Sequence, residues 1–160
     1  MRESVIQQLS RSPEQTEAFG AQLAKSLPAR GGRPAIIYLT GDLGAGKTTF
    51  AKGFVRGCSI ADAVRSPTYA LFEPYEGKDI TVVHLDLYRL RDPSELEALG
   101  LRDWARAGTV WLIEWPAKGG AKLPLPDVEI VLQVHTEAHE LTLTAISPFG
   151  AAWLNALNTA

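Results

Sequence analysis

The chain has 160 residues, of which 46% are hydrophobic and 21% charged, with a net charge of −2. That size suits one globular domain with a proper core, and the slightly acidic balance excludes a global basic footprint for nucleic acid. Cys58 is the only cysteine, which excludes an intramolecular disulfide and a cysteine-rich metal site, and no apolar run reaches the ~18 residues of a membrane span.

Residues 1–5 lack the apolar core of a signal peptide, so a cytoplasmic protein with no membrane association is expected. Val5-Ile6-Gln7-Gln8-Leu9 reads as a short edge strand. Ser12-Pro13-Glu14-Gln15 is a helix start, with Ser12 as N-cap and Pro13 at the first position. Phe19, Leu23 and Leu27 mark one face of that helix, and Pro28 with Gly31-Gly32 ends it. Residues 35–40 form an apolar run of strand type.

The run leads into Gly41-Asp42-Leu43-Gly44-Ala45-Gly46-Lys47-Thr48, which fits the phosphate-binding pattern G-x-x-x-x-G-K-S/T. Each part has a physical task. The glycines let the backbone bend so that several N–H groups face phosphate oxygens. Lys47 reaches the outer phosphates, and the Thr48 hydroxyl can ligate Mg2+. Phe50, Phe54 and Val55 follow at helical spacing to about Gly57, so a helix N-terminus is aimed at the phosphates. The nucleotide-binding set is therefore Gly41, Gly44, Ala45, Gly46, Lys47, Thr48 and Thr49.

Ser66-Pro67-Thr68 opens an extended segment that runs to Tyr75, and residues 76–79 are turn-like. Residues 80–86 read as a strand ending in Asp86. Asp92-Pro93-Ser94-Glu95 starts a short helix through Leu96 and Leu99, Gly100 breaks it, and residues 101–107 make another. Residues 109–114 are nearly all apolar, the pattern of a strand buried on both faces, and end in Glu114. Val128, Ile130, Leu132 and Val134, then Leu141 and Leu143, alternate with other residues as an antiparallel pair at a sheet edge. Residues 151–158 form a last helix, with Trp153 and Leu157 on one side. The fold class expected is α/β and P-loop NTPase-like. Its sheet is mostly parallel and flanked by helices, with an antiparallel C-terminal strand pair.

Nucleotide-bound Mg2+ calls for a carboxylate near the end of a neighbouring strand, and ligands in open α/β sheets bind outside those carboxyl ends. Asp86 and Glu114 both qualify. One acid would orient or deprotonate the attacking water, and the other would coordinate Mg2+ with Thr48. With Lys47 they form the candidate catalytic set. Arg89, three positions after Asp86, is the best of four arginines (with Arg65, Arg102 and Arg106) to meet a γ-phosphate. Trp115 is either a surface stacking platform or core. His84, His135 and His139 read as structural or solvated. The only asparagines are Asn155 and Asn158, so a guanine-reading Asn-Lys-x-Asp motif is absent and ATP is the expected nucleotide.

The P-loop, Ser66-Pro67-Thr68-Tyr69, His84-Leu85-Asp86-Leu87-Tyr88-Arg89-Leu90 and Ile113-Glu114-Trp115-Pro116 occur in that order. Together, over about residues 10–135, they closely resemble the TsaE (YjeE) family of bacterial ATPases in tRNA threonylcarbamoyladenosine biosynthesis. The resemblance implies one P-loop ATPase domain over 1–160, with ATP and Mg2+ as cofactors. It implies TsaB and TsaD as partners, the proteins that attach the threonylcarbamoyl group to tRNA. The TsaE-like member does not make that bond but resets the complex between turnovers, so its link to tRNA is indirect. It further implies Thr48 and Glu114 as Mg2+ ligands, Asp86 as essential to the nucleotide cycle, and Ser66 and Thr68 in a switch loop. The stretch around Ser12–Thr16 would lie near the base. A small-molecule kinase, or an ATP-binding interaction protein without catalysis, are the alternative readings of the same loop.

Overall fold

The computed structural model describes residues 4–29, 31–65, 67 and 71–159. The expected switch residues Ser66 and Thr68 lie outside the described residues. In chain order the elements are β1 (Val5–Ser10), α1 (Pro13–Lys25), β2 (Ala35–Thr40), α2 (Lys47–Gly57), β3 (Phe72–Glu76), β4 (Thr81–Asp86), β5 (Thr109–Glu114), β6 (Val128–Val134), β7 (His139–Ala145) and α3 (Pro148–Thr159).

The apolar run of β5 places it inside the sheet, with all six residues buried. A strand buried on both faces needs partners on both sides and cover above and below. It pairs in parallel with β2 and with β4, and β2 pairs in parallel with β6. The seven strands lie in the order β1-β7-β6-β2-β5-β4-β3, parallel in the middle and antiparallel toward both edges. The expected mostly parallel sheet with an antiparallel β6–β7 pair is therefore present, with one correction. That pair is not at the edge. β1 returns to pair along β7, from Val5 opposite Thr144 to Ser10 opposite His139, and takes the edge itself. It supplies the hydrogen bonds that an open β7 would otherwise leave exposed.

Alternate residues of the strands feed two cores. Ile37, Leu39, Val82, Val110, Leu112 and Ile130 pack toward the helices, against Leu23, Phe50, Phe54 and Trp153. Val83, Leu85, Trp111 and Ile113 pack on the other face against Leu87, Leu96, Leu101 and Leu123. Ser12 caps α1 by accepting the Gln15 N–H at 3.1 Å, with Pro13 in the first turn. The helix stops at Lys25, so Leu27 packs on the core from beyond its end. α1 lies tight on α2: a Cβ on Gly53 would come within 2.0 Å of the Glu17 carbonyl oxygen, so only glycine fits there.

The two short helices between β4 and β5 are wound more tightly than expected, and the second is shorter. They are single 3₁₀ stretches, Pro93–Leu99 and Leu101–Trp104. Gly100 at φ 70° separates them. The second cannot continue to residue 107, because the Thr109 hydroxyl takes the Trp104 and Arg106 carbonyls and turns the chain into β5.

Candidate functional site

The site forms where β2, β4 and β5 end. From Thr40 the chain passes so close to β6 that a Cβ on Gly41 would lie 2.6 Å from the Leu132 carbonyl oxygen. Gly44 (φ 82°) and Gly46 (φ 106°) then take left-handed conformations, which curl the loop into the start of α2. Gly46 is the N-cap of α2 but offers no side chain, and the first turn holds no acidic residue. The leading N–H groups of α2 thus lack a side-chain cap, unlike those of α1, and this is the geometry of an anion-binding helix terminus.

Register sets the two acids side by side, because Asp86 of β4 pairs with Glu114 of β5. Glu114 is 3% exposed. Its Oε2 accepts from the Thr48 hydroxyl at 3.2 Å and lies 2.5 Å from His84 Nε2. Burial pushes the Asp86 carboxyl above its ordinary range. The Tyr88 N–H on Oδ1 opposes this, and the Glu114 charge adds to it. Lys47 is nearly buried, and its ammonium donates to the Gly41 and Asp42 carbonyls. Burial lowers the Lys47 pKa, against the pull of Glu114, Asp86 and Asp42.

Trp115 is half-buried and packs against the second core, so it is not a free platform. It has a left-handed backbone (φ 57°), which is uncommon for a bulky residue, and this turns its ring over Lys47, with Nζ 4.3 Å from the centroid. The Tyr88 ring lies 5.1 Å away and completes an aromatic wall. Lys47, Thr48, Asp86 and Glu114 line one cavity of about 290 Å³, together with Gly44, Gly46, Thr49, Tyr88 and Trp115. A second cavity, of about 320 Å³, shares Gly44, Gly46 and Thr49 with the first and is walled by Ser12, Pro13, Thr16 and His139. The stretch expected near the base therefore borders the loop.

Arg65, Arg89, Arg102 and Arg106 are all exposed, and none lines the cavity that holds Lys47. Arg106 bonds the Asp103 carbonyl and lies over the Trp104 ring. Two histidines have roles that their isolation in the sequence concealed. His84 is fully buried against Glu114, and His139 Nδ1 lies 2.9 Å from the Ala45 carbonyl of the loop, to which its N–H donates. A signal for His84 was present: it precedes Asp86 by two, and the period of a strand puts both on one face.

The residues fit a magnesium nucleotide. An uncapped helix terminus beside a buried lysine suits phosphate, and a hydroxyl paired with a carboxylate suits Mg2+. Among the described residues no group of three or more His, Cys, Asp or Glu could hold a metal. Mg2+ in nucleotide sites is bound by one or two protein groups plus phosphate oxygens and water, so such a cage is not needed.

This loop between a parallel strand and a helix, with carboxylates at the neighbouring strand ends, defines an α/β protein of the P-loop pattern. The comparisons give the particular family. Residues 10–142 match the model for the threonylcarbamoyl adenosine biosynthesis protein TsaE. The chain is 39% identical over 141 residues to the tRNA threonylcarbamoyladenosine biosynthesis protein TsaE of Haemophilus influenzae, covering 88% of this chain and 89% of the relative. It is 37% identical over 136 residues to the protein of the same name from Bacillus subtilis, at 84% and 82% coverage. The crystal structure of Bacillus subtilis YdiB superposes with a TM-score of 0.80 at 27% identity, covering 99% of this chain and 97% of that one. The chain belongs to the TsaE family of tRNA threonylcarbamoyladenosine biosynthesis, as the motif resemblance implied.

Proposed function

We propose that this chain is a Mg2+-dependent ATPase, one domain over its length, that serves threonylcarbamoyladenosine modification of tRNA. It acts on the TsaB–TsaD complex in the cytoplasm and resets that complex between turnovers, touching tRNA only through it. The observation that carries the nucleotide reading is the Thr48 Oγ1–Glu114 Oε2 pair, set beside Lys47 at the uncapped start of α2.

Thr48 and Glu114 are the pair that would hold Mg2+, which when bound neutralises charge on the phosphates. The loop N–H groups and Lys47 take the phosphate oxygens, so Lys47 exchanges its loop carbonyls for ligand. Asp86 is the base or orienting group for water, since burial moves its carboxyl toward the range useful for accepting a proton. Hydrolysis breaks the bond from the γ-phosphorus to its bridging oxygen, the water oxygen replaces it, and the water proton leaves through Asp86. Positioning and charge stabilisation supply most of the rate.

Nucleotide binding and phosphate release, measured with and without TsaB and TsaD, test the reading. Magnesium-dependent ATP binding, a complex with the two proteins and faster hydrolysis in it are expected. Unchanged hydrolysis with no complex would overturn the partner role. ATP consumption strictly dependent on a small hydroxyl compound would indicate a kinase instead.

A further inference from the structure

His84 is a polar residue where packing asks for an apolar one. It stands in mid-strand on β4, between Val83 and Leu85, and is fully buried. Strand alternation puts it on the face of Val82 and Asp86, the side on which α2 lies. Its Nε2 lies 2.5 Å from Glu114 Oε2, and its Nδ1 has no hydrogen-bond partner among the described residues. A carboxylate only accepts, so Nε2 carries the proton and donates. Leaving the other buried nitrogen unmet costs stability, so the imidazole is not explained by packing.

The compensation lies at Glu114. Glutamate has three side-chain torsions, and a carboxylate aimed by a single hydroxyl at 3.2 Å is weakly restrained. The imidazole donor and the Thr48 hydroxyl converge on the same oxygen, Oε2. Two donors on one oxygen fix the position of that oxygen beside Thr48 before any ligand arrives.

We propose that His84 is a positioning residue for magnesium-nucleotide binding, holding Glu114 in place next to the Thr48 hydroxyl. This rests on the reading of Thr48 and Glu114 as the metal-holding pair. His84 touches neither phosphate nor metal. It lowers the cost of ordering Glu114, as groups behind metal ligands do.

The test is a MgCl2 titration of ADP binding, set against ADP binding in chelator, for wild type and for H84F, H84Q and H84N. In H84F the apparent Mg2+ affinity falls about 10–100-fold, while Mg2+-free ADP affinity stays within about threefold. The amide nitrogen of glutamine can stand near Nε2, so H84Q recovers most of the loss. Asparagine is polar but too short, so H84N behaves like H84F. The Gln–Asn contrast carries the same test if the phenylalanine variant does not fold. In an E114A background H84F has no further effect on Mg2+ affinity, because the residue through which His84 acts is gone.

Equal Mg2+ affinity in wild type and H84F, a loss shared by the Mg2+-free measurement, or H84Q no better than H84N would overturn the role of His84 alone. A wild-type protein whose ADP binding ignores Mg2+ would overturn the metal reading and the role of His84 with it.

Discussion

The strand ends around Glu114 and the flank formed by β6, β7, β1 and α3 both bury carboxylates, and they use them differently. In the flank, Asp127 is buried and given to structure. Its Oδ2 accepts the Ile36 N–H at 2.8 Å and its Oδ1 the Ser147 hydroxyl at 2.6 Å, which ties the flank to β2 and to the start of α3. Arg33 lies 3.6 Å from the same side chain. At the strand ends, Asp86 and Glu114 face each other, a buried lysine and left-handed backbone at Gly44, Gly46 and Trp115. Burial of a charge does not by itself mark a site. Both regions give their carboxylates donors; what separates them is that the strand ends also gather a second carboxylate, a buried lysine and left-handed backbone around a cavity.

The sharpest way to separate the regions is Lys47→Ala. It removes the lysine that lines the cavity with the two acids, and loss of detectable ATP binding by calorimetry is expected, with the fold retained. ATP binding at wild-type strength would show that the strand ends are not where nucleotide is held. Trp153→Ala attacks the flank. Trp153 is fully buried, packs edge-on to Phe54 and Phe149, and donates its indole N–H to the Leu23 carbonyl. Denaturant melts should show a loss of about 3–5 kcal/mol. The nucleotide affinity of the folded fraction should not move, and a parallel fall would show that the regions are coupled.

Glu114→Ala divides the site internally. Phosphate release should fall by about 10²–10³-fold, while part of the nucleotide binding remains because the loop and Lys47 are intact. Turnover equal to wild type would remove Glu114 from the metal pair.

Asp86→Asn has the smallest expected effect on the fold, read by pH. The folded carboxyl lies above its ordinary value, so the folded chain binds that proton more tightly than the unfolded one. The carboxyl therefore costs the folded state nothing at pH below the unfolded value, and the cost appears as pH rises through the folded value. Thermal melts should place the variant above wild type at neutral pH and bring the two together below about pH 4. A variant that melts lower at neutral pH would give Asp86 the structural role of Asp127.

Much of this contrast was legible in the sequence, for reasons that differ by region. The loop has a spacing dictated by phosphate geometry, and the short, β-branched apolar run 109–114 has the pattern of a strand with both faces covered. Strand alternation then exposed the flank. The return of β1 to cover β7 was not legible, because a short strand carries no mark of its partner. The 3₁₀ form of residues 93–104 was also hidden, since Thr109 closes the second turn from outside it. His139 carried no mark of its partner, and for His84 the strand period gave the face it shares with Asp86 but not the contact with Glu114. Glu114 lies 30 positions from His84, and Ala45 lies 94 from His139.

The placement of nucleotide and metal is read most directly from a crystal structure with Mg2+ and a non-hydrolysable ATP analogue. The triphosphate is expected along Gly41–Thr48 with Lys47 on its outer phosphates. Mg2+ is expected at about 2.1 Å from Thr48 Oγ1, held on the protein side by Glu114. Phosphates bound away from the loop, or a metal that touches neither Thr48 nor Glu114, would contradict this placement.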